Sequence, residues 1–393
     1  MGTEAPDLVC RLHPTRASVS SARPRQAPFN SRGLSAVVPE PTVISIDAMG
    51  GDHGPSVVVP GLALGVEQWR ARQIRFLLHG DSTRIEHELA RHPALRPLCE
   101  IRHTELVISG DEKPAQAMRR GKGSSLWNAV EAIRDGDAQA AVSSGNTGAL
   151  MAISKLILRM VVEDLDRPAI VASWPTARGY TSVLDVGANI DCDAERLVDF
   201  AIMGEAFHRA VHGAERPSVG LLNVGTEDQK GREDVREAHR LLSGGRLTLN
   251  YKGFVEGGDI FKGDIDVVVT DGFTGNVALK TAEGVARFVT AELRAALTSS
   301  LVSKIGAFIA QGALRKLRAR LEPPDGGPFL GLNGIVVKSH GGTDAKGFAH
   351  AVGVAADLAQ SEFASEIRRN LEQLTAALSE GEVQESAGLE QKG

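Results

Sequence analysis

The sequence is poor in cysteine, in aromatic residues and in long apolar runs, and each shortage excludes a class of protein. Its three cysteines, Cys10, Cys99 and Cys192, are widely spaced, so they form neither a disulfide framework nor a metal motif such as CxxC. The expected compartment is therefore a reducing one. No apolar run approaches the ~18 residues that a transmembrane helix needs. The net charge of −5 argues against a nucleic-acid partner.

Signatures of nucleotide binding are missing as well. The segment Gly50-Gly51-Asp52-His53-Gly54 has the wrong spacing for the GxGxxG fingerprint of dinucleotide-binding proteins. The basic segment 119–125 lacks the first glycine of a Walker-type phosphate loop. Three aspartates could alternatively bind a divalent metal, but their spacing is not diagnostic: Asp47, Asp52 and Asp271. We therefore expect neither a nucleotide cofactor nor a metal.

Glycine, by contrast, is abundant, with 43 residues in a chain of 393 that is 42% hydrophobic and 24% charged. This composition is typical of a soluble globular protein with many tight turns, and the length suits one large α/β domain or two lobes. Residues 1–41 are rich in arginine and serine and are predicted to be a disordered leader or the product of a misassigned start. Residues 42–380 are assigned to a catalytic domain and residues 381–393 to a disordered tail.

Short apolar runs alternate with amphipathic helical patterns from Thr42 onward. The predicted strands are 43–47, 75–78, 100–108, 138–143, 169–173, 182–186, 218–223, 265–270 and 334–338. The predicted helices are 57–72, 126–134, 148–160, 194–211, 233–242, 276–297 and a long final helix from about 344 to 378. This order predicts an α/β fold: a mostly parallel sheet with helices on both faces, in two intimately joined lobes.

Six predicted strands run into loops that share one chemistry, glycine combined with Asn, Ser, Thr or Asp. These strands end at Asp47, Ser143, Asp185, Asn223, Thr270 and Lys338. Glycine lets the backbone approach a ligand closely, and ligands of open parallel sheets bind outside the carboxyl ends of the strands. Each loop alone could be a simple turn, because Gly-Asn and Asp-Gly pairs are turn formers. Together the loops predict a ligand site along the sheet edge.

The loop 144–148, with the sequence SGNTG, is the best candidate for binding an anion. A helical pattern follows it, and the free N–H groups and the positive dipole end at the start of a helix favour an anion there. We therefore expect this loop to bind a phosphate group.

The loops also resemble a known family. The segments IDAMGGDHGP, EKPAQAMRRGKGSS, SSGNTGALMA, DRPAI, DVGANIDC, NVGTEDQKG, VEGGDIF, DVVVTDGFTGNVALKT and LNGIVVKSHGGTDAKGF resemble the acyl-ACP:phosphate acyltransferase family of bacterial phospholipid synthesis. The match keeps the family's order from about Thr42 to Glu362 and leaves the leader outside. Because so many glycine-punctuated motifs occur in one order, the resemblance is specific.

The resemblance implies a fold like those of phosphotransacetylases and isocitrate-type dehydrogenases, a homodimer, and a reaction without metal or nucleotide. The implied reaction transfers a fatty acyl group from acyl carrier protein to inorganic phosphate. The acyl phosphate would then serve a membrane acylphosphate:glycerol-3-phosphate acyltransferase. The implied location is the cytoplasm, with peripheral contact to the inner face of the membrane.

Phosphate is already anionic near neutral pH, so this chemistry needs orientation and electrostatic stabilisation more than a general base. The predicted phosphate-binding residues are Ser144, Gly145, Asn146, Thr147, Gly50 and Gly51. The predicted catalytic residues are Asn146, Asn223, Lys230, Lys338, His340 and Asp271. Lys338 or His340 could bind phosphate or protonate the leaving thiolate, whereas Asp47, Asp271 and Asn276 would orient the donors. The alternatives are structural: an Asx-turn or helix cap for each aspartate and a turn histidine for His340.

Two basic segments are predicted to contact the carrier protein or the membrane. Their cations are Arg119, Arg120, Lys122, Arg315, Lys316 and Arg318. The second segment belongs to an amphipathic helical insertion at 298–321, whose phase slips near Gly312. Such a segment can bind an anionic membrane or an acidic partner, or it can pack in a dimer interface.

Three other functions stay open at this point. The first is a phosphotransacylase that uses acyl-CoA, and the second is a metal-dependent decarboxylating dehydrogenase of related fold. The third is a membrane-bound scaffold that recruits acyl carrier protein without turnover.

Overall fold

An eleven-stranded sheet forms the centre of the chain. The computed structural model describes residues 41–369 except 163–164, 166, 246, 322–325, 363–364 and 366, and the side chains of 318–321 are also outside the description. The predicted leader, apart from residue 41, and the predicted tail lie outside the described residues, so both assignments stay predictions.

The strands are β1 Thr42–Asp47, β2 Ile74–Gly80, β3 Cys99–His103, β4 Ala140–Ser143, β5 Ala169–Thr176, β6 Gly179–Leu184, β7 Ser218–Leu222, β8 Asn250–Val255, β9 Val267–Val269, β10 Gly327–Leu330 and β11 Ile335–Lys338. The helices are α1 Pro55–Leu64, α2 Val66–Ala71, α3 Ser82–Leu89, α4 Pro114–Arg120, α5 Ser125–Arg134, α6 Thr147–Leu158, α7 Ala194–His212, α8 Glu233–Ser243, α9 Gly272–Thr298, α10 Leu301–Ile309, α11 Gln311–Leu321 and α12 Ala345–Gln360. Two short 3-10 turns lie at Arg96–Leu98 and Ile260–Lys262.

The strand order is β3-β2-β1-β4-β11-β10-β5-β6-β9-β7-β8. The first five strands in this order are mutually parallel, and so are the last four. Between them, three antiparallel pairings follow one another: β11 with β10, β10 with β5, and β5 with β6. Because the direction reverses three times, the strands β6, β9, β7 and β8 run opposite to β1, β4 and β11.

The central strands are buried on both faces, which explains their uninterrupted apolar sequences. In β11, Val337 belongs to the core on the side of α1 and α12, and Val336 to the core on the side of α5 and α6. Phe348 of α12 and Leu150 of α6 are fully buried in these two cores. The predicted mostly parallel α/β sheet, with helices on both faces and two joined halves, is confirmed.

Several element bounds differ from the prediction for local reasons. The helix predicted at 57–72 divides at Gly65, and the final helix ends at Gln360 because Ser361 takes an extended conformation. Strands β8 and β10 were not predicted, since NYKGFV is broken by lysine and glycine and GPFL has only four residues with a proline. The insertion 298–321 forms α10 and α11, which separate at Ala310, close to the predicted phase slip.

Helices α9 and α10 expose many apolar side chains. On α9 they include Val277, Val285, Phe288, Val289 and Leu293, and on α10 they are Leu301, Val302, Ile305, Phe308 and Ile309. Among the described residues, no helix combines the length and the apolarity needed to cross a membrane. Helices α9 and α10 thus present exposed apolar side chains to the surroundings.

The buried His79 predicts a pH dependence of stability. Its Nε2 lies 2.9 Å from Ser45 Oγ, and burial, assisted by the charge of Arg102, lowers its pKa from 6.5 to about 4. The unfolded chain binds this proton more readily, so the free energy of unfolding falls as pH drops from about 6.5 towards 4, by up to about 1.4 kcal/mol per pH unit. Urea unfolding of His79→Gln should show a smaller loss of unfolding free energy over this pH range. The exposed His87→Gln control should keep the wild-type slope, and parallel slopes for all three proteins would contradict the assignment.

Candidate functional site

Three loops meet at the carboxyl ends of β1, β4 and β11, and we call this group the first edge: residues 47–52, 143–147 and 338–343. The strand register places Asp47 beside Ser143, and Ser143 beside Lys338. Two backbone hydrogen bonds tie the loops together, from Ser339 N to Ser143 O at 3.0 Å and from Asp52 N to Gly341 O at 2.9 Å. Segments nearly 300 residues apart in sequence are thus fixed against each other.

A buried carboxylate organises this edge. Asp47 is 1% exposed, and its Oδ2 accepts a hydrogen bond of 2.7 Å from Ser143 Oγ. The same hydroxyl oxygen accepts the N–H of Gly145 at 3.0 Å. Burial raises the pKa of Asp47, and the hydrogen bonds from Ser143 and from the backbone of Met49 and Gly50 oppose that rise. Asp47 therefore fixes the Ser143 hydroxyl and, through it, the turn after β4, and its predicted role in orienting phosphate-binding donors stays a prediction.

Gly50 and Gly51 are required by close packing at this edge. A Cβ on Gly50 would lie 2.5 Å from Asp47 Oδ2 and 2.8 Å from Gly145 N. Gly51 has a φ of +80°, and a Cβ there would lie 2.8 Å from Gly341 O. The structure thus gives these two glycines a packing role, and their predicted contact with phosphate stays a prediction.

Asn146 is the N-cap of α6. Its Oδ1 accepts the N–H of Ala149 at 2.9 Å, and its Nδ2 donates to Gly110 O and Glu112 O, both at 2.8 Å. The side chain is therefore fully used in fixing the helix start against the loop before α4. No acceptor among the described residues takes the backbone N–H of Thr147 or Gly148. These amides, which open α6, are the donors that the loop offers to an anion.

Lys338 and His340 follow β11 at the same edge. The Nζ of Lys338 donates to the backbone oxygens of Ser339 and, at 3.5 Å, of Ser144. Nε2 of His340 lies 3.2 Å from Oε1 of Glu283, which comes from the middle of α9. Sequence reasoning missed Glu283, because nothing in a helical pattern marks one glutamate among several as a partner of a distant loop.

The beginning of α4 lies against the start of α6. A Cβ on Gly148 would lie 2.7 Å from the ring of Pro114, the first residue of α4, so the two helices touch there. Arg119, Arg120 and Lys122 are exposed at the end of α4. Arg315 and Lys316 are exposed on α11, which packs on α10, and the side chain of Arg318 lies outside the described residues.

The other predicted residues belong to a second edge, formed by the carboxyl ends of β6, β9 and β7. Asp271 caps α9 through Thr274 N at 2.8 Å and pairs with Arg232 at 2.5 Å. Asn223 Nδ2 donates to Lys230 O at 3.1 Å, and Lys230 Nζ pairs with Glu227 at 2.8 Å. Each of these contacts is local to its own edge.

The prediction that all six strand ends share one edge is therefore wrong. The three antiparallel pairings reverse the chain direction between β11 and β6, and a sequence of alternating strands and helices does not reveal them. Asn146, Lys338 and His340 come together, whereas Asn223, Lys230 and Asp271 lie at the opposite edge. The catalytic role predicted for all six residues stays a prediction.

Asp185 is a buried structural centre of the second edge. Its carboxylate accepts the backbone N–H of Ile170 at 3.0 Å and of Asn189 at 2.6 Å, together with the Asn189 side-chain amide at 2.9 Å. Burial raises its pKa, and these hydrogen bonds oppose the rise. Within the described part of the chain, no three His, Cys, Asp or Glu side chains are grouped so that they could hold a metal ion.

Comparison with known proteins places the chain among characterised relatives. A family model described as "Fatty acid synthesis protein" matches residues 42–366. The chain is 65% identical to the phosphate acyltransferase of Caulobacter vibrioides over 336 residues, which cover 85% of this chain and 92% of that relative. It is 63% identical to the phosphate acyltransferase of Phenylobacterium zucineum, over 86% of this chain and 95% of the relative.

Solved structures support the fold. A phosphotransacetylase from Streptococcus pyogenes superposes with a TM-score of 0.55 at 17% identity, over 81% of this chain and 94% of that chain. A branched-chain phosphotransacylase from Enterococcus faecalis superposes with a TM-score of 0.51 at 13% identity, over 81% of this chain and 99% of that chain. The predicted likeness to the phosphotransacetylase fold is confirmed.

The network around Asp47 can be tested by removing its central hydroxyl. Ser143→Ala leaves both Asp47 Oδ2 and the Gly145 amide without this partner, so the free energy of unfolding should fall by about 1–3 kcal/mol. Ser154→Ala is the matched control, because the Ser154 hydroxyl is equally buried and has no hydrogen-bond partner among the described residues. Urea unfolding of both variants measures the difference. Equal losses would show that the Ser143 bridge contributes nothing specific.

Proposed function

Because the chain belongs to the phosphate acyltransferase family, we propose that it transfers a fatty acyl group from acyl carrier protein to inorganic phosphate. The family makes the chain an acyltransferase of lipid synthesis. The proposal adds the acyl donor, the place where phosphate binds and the fate of the product. The observation that carries it is the start of α6, where the amides of Thr147 and Gly148 lie beside a loop braced by Asp47.

Phosphate would bind at the first edge. The amides of Thr147 and Gly148 donate to its oxygens, and the dipole of the twelve-residue α6 favours its charge. Lys338, which already reaches the carbonyl of Ser144, supplies the positive charge. Asp47 does not repel the anion strongly, because its carboxylate is buried behind the loop and already accepts the donors around it.

The chemical step follows from this placement. A phosphate oxygen attacks the thioester carbonyl carbon, the carbon–sulfur bond breaks, and its electron pair leaves with the sulfur. Amide hydrogens near the carbonyl stabilise the negative charge that develops on its oxygen. A pantetheine thiol has a pKa near that of free cysteine, about 8.5, so it departs readily. His340, half exposed at the first edge, protonates the thiolate.

The donor is proposed to be an acyl carrier protein because several exposed basic residues lie on and just after α4, the helix that contacts the start of α6. Arg119, Arg120 and Lys122 are exposed on the segment that adjoins the start of α6. An acidic carrier would be steered to this surface while its prosthetic arm reaches the first edge. The alternative donor is acyl-CoA, in keeping with the fold shared with phosphotransacylases.

The product is a fatty acyl phosphate, which a membrane acyltransferase would transfer to glycerol 3-phosphate. An apolar product of this kind favours release close to the membrane. We assign the exposed apolar residues of α9 to a homodimer contact and those of α10 to peripheral contact with the inner face of the membrane. The proposed location is therefore the cytoplasm, at the inner face of the membrane.

Trapping the product with hydroxylamine tests the reaction. Purified protein with acyl carrier thioester should form acyl hydroxamate only when phosphate is added. Lys338→Gln should raise the KM for phosphate about tenfold, equivalent to about 1.4 kcal/mol of binding, because a charge-assisted contact is lost. Lys346→Gln, an exposed lysine of α12, is the control and should leave the KM unchanged. Folded protein that makes no phosphate-dependent hydroxamate would rule out the proposed function.

Charge-reversal variants test which of the two basic segments binds the acyl carrier protein. Arg119→Glu with Arg120→Glu should raise the KM for acyl carrier protein about tenfold at low salt, with little effect on the KM for phosphate. The difference should shrink near 1 M salt, where charges are screened within about 3 Å. Arg315→Glu with Lys316→Glu on α11 is the control pair. An equal rise in both double variants would contradict the assignment of the carrier to α4.

A further inference from the structure

Helix α9 links the two edges of the sheet. It begins at the second edge, where Asp271 caps it, and eleven residues further on it reaches the first edge at Glu283. At 1.5 Å per residue this distance is about 16 Å. Oε1 of Glu283 lies 3.2 Å from Nε2 of His340, so a residue of the first edge is in contact with a helix that starts at the second edge.

The carboxylate of Glu283 is fixed on an otherwise exposed part of the helix. Its side chain is only 13% exposed, although Val285 and Phe288 close by are more than half exposed. Lys280 Nζ lies 3.4 Å from Oε2, and Arg287 Nη1 lies 3.7 Å from the same oxygen. Two cations thus hold one carboxylate oxygen while the other faces the imidazole.

Glu283 contacts the imidazole of His340 directly. The His340 side chain is 50% exposed, and it stands on a loop followed at once by Gly341 and Gly342. A carboxylate at hydrogen-bonding distance from one ring nitrogen determines both the orientation of the imidazole and the nitrogen that carries the proton.

We propose that Glu283 is a positioning residue for the acyl transfer, acting by orienting the His340 ring at the first edge. This inference rests on the proposed function. With Nε2–H donating to Glu283, the protonated ring gives its Nδ1 proton to the thiolate as the carbon–sulfur bond breaks. The neutral ring then regains a proton from water, and Glu283 keeps its hydrogen bond throughout.

A double-mutant cycle tests this role with Glu283→Gln, His340→Ala and the double variant. Because partners that orient a functional imidazole typically contribute 10- to 100-fold, Glu283→Gln should lower kcat about tenfold, with the KM for phosphate changed less than twofold. In the His340→Ala background the same change should have no further effect. Glu283→Asp, which keeps the charge, should recover part of kcat. Glu292→Gln, an exposed glutamate on the same helix, is the control and should match the wild type.

A second readout does not depend on turnover. Nitrogen NMR of the imidazole should show His340 protonated on Nε2 in the neutral wild-type ring and a smaller Nε2-protonated fraction in Glu283→Gln. An unchanged kcat, or an equal loss in the presence and absence of His340, would overturn the positioning role. An unchanged tautomer ratio would overturn it as well. By contrast, an absence of phosphate-dependent product in the wild type would refute the proposed function, while the tautomer measurement still reports on the contact.

Discussion

The hydrogen-bond chain from Asp47 through the Ser143 hydroxyl to the Gly145 amide is the constraint on which the first edge, and with it the proposed anion site, depends. It joins two neighbouring parallel strands at the level where both end, so the turn after β4 cannot move independently of β1. A buried carboxylate with several donors is stable only while those donors stay in place. The chain therefore fixes the turn, and the turn leaves the first amides of α6 facing outward from the sheet edge.

The side chain of Asn146 also fixes the segment that precedes α4. By capping α6 and holding the carbonyls of Gly110 and Glu112, its side chain couples the helix start to the segment that leads into α4. The start of α4 is thereby fixed relative to the turn before α6, and the basic residues follow at the other end of this seven-residue helix. One amide side chain thus connects the proposed anion site to the helix that carries the proposed carrier surface.

The fold class was accessible from sequence because uninterrupted apolar strands and amphipathic helices alternate along most of the chain. The turn that opens α6 could be predicted as well, since glycine and asparagine directly precede a strong helical pattern at 147–158. The direction of the strands could not be predicted from the sequence. The four-residue β10, which contains a proline, and the β5–β6 hairpin reverse the sheet through contacts distant in sequence. The roles of Ser143 and Glu283 were also hidden, because each follows from the register or the helix that brings its partner near.

Helix α9 connects the two edges that the reversal of the sheet separates. Its first turn is anchored by Asp271 and Arg232, its inner face packs on the core through Ala278, Leu279 and Ala282, and Glu283 lies on the next turn. The outward surface of the same helix carries exposed apolar side chains. A partner bound to them would therefore touch the same rigid element that contacts His340 through Glu283.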